Sequence, residues 1–247
     1  MANWSDPRVA PAAAPTETGT RGSAVDAGLR SHMLSVYNYM TSGILLTGVV
    51  AMLFAQGGET SLAARILING GPLRWVVMLA PLGLVMWLSF GINRLSTNAA
   101  RAIFFVYAAL MGASLSFIFL VYTGGSIATT FFATAAAFAS LSLWGYTTKK
   151  DLSGWGSFLL MGVVGIVVAS LFNMFMRSDA LSLAISAVGV LIFAGLTAYD
   201  TQKIKSLYFE LQGTQFLGKA AIMGALQLYL DFINMFLFLL RLFGNRN

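Results

Sequence analysis

The chain contains no cysteine, which excludes disulfide frameworks, thiolate zinc sites and cysteine nucleophiles together. It has a single histidine, His32, so no histidine-based metal site is available. Charge is also scarce. Asp, Glu, Lys and Arg make up 10% of the 247 residues, against about 25% in an ordinary soluble domain. A soluble fold with so few charges could not wet its surface, which excludes a water-soluble enzyme. What is present instead is apolar: hydrophobic residues make up 57%, and the mean hydropathy is +0.77. Such a chain is an integral membrane protein. Its net charge of +6 calls for no nucleic-acid partner, because membrane proteins hold Lys and Arg in their cytoplasmic loops.

Residues 1–33 differ from the rest. They are rich in Ala, Pro, Gly and Thr, carry no apolar run, and balance Arg8, Arg21 and Arg30 against Asp6, Glu17 and Asp26. They read as a disordered cytoplasmic tail, and not as a signal peptide, which needs an apolar stretch. Residues 34–247 then form a membrane domain of seven apolar stretches, at about 34–56, 73–93, 102–122, 126–147, 155–176, 180–199 and 219–241. Each is near the roughly 20 residues that cross about 30 Å of hydrocarbon as a helix. The sixth has no Gly or Pro to stop it between Gly195 and Gly213, so it can run past residue 199. The expected fold is therefore all-α, with seven transmembrane helices.

Orientation follows from the cations beside the spans. Ten of the 15 Lys and Arg fall on the side of the N-terminus and five on the other, Arg65, Arg74, Arg177, Arg241 and Arg246. The N-terminus is expected in the cytoplasm and the C-terminus outside. Small residues four apart (Gly112 and Ser116, Ala133 and Ala137, Gly165 and Ala169) let helix backbones approach closely, as a compact bundle needs.

Two acids stand apart from the others, which lie in the tail, at span ends or in links. Asp231 lies about twelve residues into the seventh span, roughly 18 Å along its axis and so near mid-bilayer. An ionised carboxylate at that depth costs at least about 2.5 kcal/mol, so it must be paired, protonated or facing water. Gln227 and Asn234 share its stripe on an otherwise apolar helix, either lining a pore or forming a helix–helix hydrogen-bond network. Asp200 sits at the inner end of the sixth span with Lys203 and Lys205 within about a turn, the setting of an ordinary interfacial acid.

The segments GLTAYDTQKIK (195–205) and ALQLYLDFINMFLFLLRLFG (225–244) closely resemble the two C-terminal signatures of the Bax inhibitor-1 (transmembrane Bax inhibitor motif) family. LRSHMLSVYNYMTSGILLTG (29–48) resembles the start of its first helix, and FFVYAALMGASLS (104–116) its third. This resemblance implies a central C-terminal helix wrapped by two three-helix layers. It also implies a pH-sensitive passive calcium leak governed by an aspartate pair on helices six and seven, here Asp200 and Asp231. Arg94 would correspond to an arginine that partners the pair. Arg241 lies inside the matched C-terminal motif, either as an anchor at the outer end of helix seven or, the better fit, as an arginine snorkelling to the interface. Two carboxylates within hydrogen-bond reach cannot both ionise cheaply, so they share one proton and titrate together. That proton would latch helix seven to helix six. The same two carboxylates would also be transient oxygen ligands for the permeant calcium ion; no cofactor is implied.

Two other classes compete. One is a non-transporting regulator that binds membrane proteins such as a quality-control protease or cell-death factors. The other is an intramembrane aspartyl protease, which Tyr199-Asp200 half fits. Against it, Asp231 follows Leu228-Tyr229-Leu230 rather than Gly-x-Gly, no Pro-Ala-Leu motif follows, and no proline occurs after Pro81. Phosphate loops, nucleophile elbows and zinc-protease helices are absent too. The expected protein is a non-enzymatic leak in a bacterial inner membrane.

Overall fold

The structure, a computed structural model, describes the backbone of residues 17–247 and the side chains from residue 26 onward. Seven of its helices are long and apolar enough to cross a bilayer. They are α1 (Glu17–Ala55), α2 (Pro72–Gly91), α3 (Thr97–Leu115, extended by a short helix Ile118–Val121), α4 (Gly124–Thr147), α5 (Trp155–Met176), α6 (Asp179–Leu211) and α7 (Leu217–Phe243). Among the described residues there is no strand, only an isolated antiparallel bridge between Tyr122 and Arg246.

Helix starts follow local chemistry. Ser96, Thr123 and Ser178 cap α3, α4 and α6 by accepting the backbone N–H of Ala99, Ser126 and Leu181. The α5–α6 turn is made by Arg177 at φ 51°, left-handed backbone that ends α5.

Helices α1, α2 and α3 pack together as one layer, and α4, α5 and α6 as another. Helix α7 packs against α1, α3, α4 and α6 between them. In its most apolar stretch 61% of residues are buried, against 11% in α2 and in α5, which makes α7 the central helix and those two the rims. The rims expose Trp75, Leu79, Phe90, Leu160, Phe172 and other large apolar side chains, as lipid-facing helices do.

One boundary departs from the sequence expectation and another follows it. The expected tail gives way to helix well before residue 34, because α1 begins at Glu17. Leu29, His32 and Met33 are buried, and His32 lies 5.5 Å from the Tyr208 ring of α6. Residues 1–16 of that tail lie outside the described residues. Helix α6 does run beyond residue 199, ending at Leu211, because Ile204 and Tyr208 keep one face of the extension buried. At about 50 Å it is longer than the hydrocarbon is thick.

The links fit an odd number of crossings. Asn245 O accepts the Thr123 N–H at 3.0 Å and Val121 O accepts the Asn247 N–H at 3.0 Å, so the chain end meets the α3–α4 link on one side of the bundle. At the opposite end Lys205 donates to Tyr146 O at 2.8 Å, and Gln202 bonds both Lys150 O and Leu152 N at 2.8 Å, holding the α4–α5 link.

Candidate functional site: a buried aspartate pair

Helices α6 and α7 are antiparallel neighbours joined by residues 212–216, and theirs is the most extensive packing in the bundle. Asp200 lies eleven residues before Leu211 and Asp231 fourteen after Leu217. At 1.5 Å per residue the two therefore stand about 17 and 21 Å from the shared turn, at nearly one level. Their side chains come within hydrogen-bond reach of each other. Both are buried, Asp200 with 8% and Asp231 with 4% of its surface exposed. No donor among the described residues reaches Asp231 Oδ2. A buried carboxylate oxygen left bare costs its desolvation in full.

The cation nearest in effect to Asp200 is Lys203, whose ammonium also lies 6.0 Å over the Tyr199 ring. Arg94 is not brought to the pair. It is exposed in the link after α2, where its N–H bonds Gly91 O. Gln227 is half-buried on α7. Asn234 is half-buried too and donates back to Leu230 O at 2.8 Å. Arg241 is exposed in the last turn of α7, where a cation suits the helix dipole, 6.0 Å over the Phe238 ring.

Two hydroxyl chains beside the pair were not foreseen from sequence. Thr201, next to Asp200, donates to Thr197 O at 2.7 Å. Having one proton, it must accept from Ser142 of α4 at 2.8 Å, and Ser142 in turn must accept from Tyr37 of α1 at 2.6 Å. On the other side Thr47 of α1 donates to Ala108 O of α3 at 2.8 Å and accepts from the Tyr229 hydroxyl of α7 at 2.7 Å. The only sequence signal was isolated hydroxyls in apolar spans.

Three main cavities open among the described residues, and neither aspartate lines any of them. One of about 320 Å³ lies between α5, α6 and α7, reaching Asn234 and Arg241. One of about 260 Å³ lies along the far end of α6, reaching Tyr199, Lys203 and Glu210. The largest, about 830 Å³, is a groove between α1 and α4 floored by Phe232.

A family model described as "Inhibitor of apoptosis-promoting Bax1" matches residues 29–247. The chain belongs to the Bax inhibitor-1 family. Its relatives include the inner membrane protein YbhL of Escherichia coli, 48% identical over 89% of this chain and 94% of that one. An uncharacterized protein of Rickettsia prowazekii is 44% identical over 93% of this chain and 95% of its own length. An uncharacterized membrane protein of Streptococcus pyogenes is 39% identical over 90% and 96%. The family match takes in α1 from Leu29 and every later helix, so both aspartates and the whole bundle fall within it.

Proposed function

We propose that this Bax inhibitor-1 family protein is a pH-sensitive passive calcium leak of a bacterial inner membrane, with Asp200 and Asp231 as its proton-operated gate. The meeting of these two buried carboxyl groups on α6 and α7 carries the reading. Two negative charges at that separation repel in a medium of low dielectric, so the pair holds together while it shares a proton. Adding or removing a proton alters the contact between α6 and the central helix. The two smaller cavities support this. One reaches Asn234, three residues from Asp231, and the other reaches Tyr199, beside Asp200. The parted carboxylates would offer calcium hard oxygen ligands in transit. The name of the Escherichia coli relative and the excess of Lys and Arg on the α4–α5 link side support an inner membrane with the N-terminus in the cytoplasm and the C-terminus outside. No catalytic step enters this reading.

A second reading rests on the family's description, which names an inhibitor of another protein. On it the chain binds other membrane proteins, such as a quality-control protease or cell-death factors, and the aspartates lock the bundle.

Purified protein in liposomes, with calcium entry recorded from about pH 5 to 8, separates the two. A sigmoidal pH response flattened by Asp200→Asn or Asp231→Asn is the expected result. An unchanged profile in both variants refutes the gate. No flux above protein-free liposomes at any pH transfers the case to the regulator.

A further inference from the structure

We infer that the groove between α1 and α4 binds one anionic phospholipid, with an acyl chain along the groove and its phosphate at Arg30. The walls decide the class of occupant. Met40, Ile44 and Leu45 of α1 face Phe131, Ala135 and Phe138 of α4 across a volume of about 830 Å³, within the 300–1,000 Å³ typical of ligand sites. Phe232 of α7 forms the floor, its ring 5.5 Å from Phe131 and 5.6 Å from Phe138. Both walls belong to helices long and apolar enough to span the bilayer, so hydrocarbon, not water, is the medium that meets them.

The polarity of the groove is graded. Charged lining residues occur only at one end, Arg30 and Asp26 near the start of the α1 span. From Arg30 to Leu45 the helix rises about 22 Å, more than the about 15 Å of hydrocarbon in one leaflet, so an acyl chain fits below a headgroup at Arg30. Behind the facing wall, Lys205 of α6 donates to the backbone oxygen of Tyr146 at 2.8 Å, and Tyr146 lines this end of the groove. Among the lining residues Arg30 is the one cation, a turn from Asp26, and the Lys205 ammonium behind Tyr146 adds a second positive charge near that end. A guanidinium takes a phosphate with two parallel hydrogen bonds, and phosphate is the anion a bilayer supplies at this level. The Tyr37 and Ser142 protons are spent on the chain to Thr201, which leaves Arg30 as the charged headgroup donor, with the Thr41 and Tyr146 hydroxyls also in the lining.

This site does not depend on the leak reading, since its test reads bound lipid and not flux. Detergent-purified protein is mixed with phosphatidylglycerol or phosphatidylcholine and examined by native mass spectrometry. One retained phosphatidylglycerol is expected, held at least about tenfold better than phosphatidylcholine. Arg30→Gln, at an exposed position, should erase that preference. Ala139→Trp, which fills the groove from an exposed wall position, should remove the bound lipid, while Ala136→Trp, exposed on α4 but outside the groove, should keep it. Equal retention of both lipids by the unaltered protein overturns the proposal. So does lipid occupancy in Ala139→Trp equal to that in Ala136→Trp.

Discussion

Gly145→Ala adds one methyl group where α4 crosses α6, and it should destabilise the protein by about 1–3 kcal/mol, the usual cost of overpacking. A Cβ built at Gly145 would stand 2.9 Å from both the carbonyl carbon and the Cα of Ala198, and closer still to the Ala198 oxygen. Ordinary contact begins at 3.4 Å, so the helices must separate by about 0.5 Å or more. All three atoms are backbone, and no rotamer change relieves them. The same substitution at Gly165 on α5 meets nothing within 4 Å, and there alanine should gain the roughly 0.5–1 kcal/mol of its better helix propensity. For a chain of this size each kcal/mol moves Tm by about 2–4 °C. Thermal unfolding in detergent, followed by size-exclusion chromatography, should therefore move in opposite directions for two identical mutations. Because Ala198 is two residues from Asp200, Gly145→Ala should also displace the pH profile of calcium flux, and Gly165→Ala should not. A Gly145→Ala protein as stable as the parent would refute the close crossing and, with it, the placement of Asp200.

Replacing Thr47 by Val strands the wholly buried Tyr229 hydroxyl and should cost about 1–3 kcal/mol; Thr47→Val with Tyr229→Phe should recover part of that loss in the same thermal assay. Asp151, outside the spans, accepts hydrogen bonds from the side chain and then the backbone N–H of Ser153, which hold its carboxyl below the ordinary 3.8. Its stabilising contribution is therefore present above 3.8 and lost as pH falls through the lower folded value. Asp151→Asn should leave the flux profile between about pH 5 and 8 unmoved, and a displaced profile would show that the aspartate pair does not titrate alone.

The seven spans were legible because apolar length is a strong signal when every backbone group must be satisfied within its own helix. Asp231 was legible for the same reason, as an acid deep in such a run. Asp200 was not, on its residues alone: Lys203 and Lys205 beside it give it the look of an interfacial acid, and only the family resemblance proposed its partner. The first turns of α1 escaped notice because they carry no apolar run, yet Leu29 and Met33 bury one face. Spacing of small residues found Gly112, whose Cβ would meet Thr47 O at 2.6 Å, but it equally favoured Gly165, which faces open space. Spacing says nothing of which way a face points. The Tyr37–Ser142–Thr201 chain was hidden because most hydroxyls in apolar helices bond back to their own helix, as Thr134 and Ser186 do here.

The bonds between the chain end and the α3–α4 link restrict how the central helix can move. Asn245 N–H also donates to Ser126 Oγ at 2.9 Å, so residues just beyond Phe243 are fastened to both ends of that link. Sliding α7 along its axis would tear all of these bonds at once. Tilting it about the fastened end would keep them. Asp231 lies twelve residues from Phe243, so α7 is a lever with an arm of about 18 Å, and a tilt of about 10° carries the carboxyl about 3 Å. That swing is enough to part Asp231 from Asp200 while the Phe243 end of the helix stays pivoted in place. A bulky fusion after Asn247 would load the pivot itself, whereas one placed before Glu17 would leave it untouched.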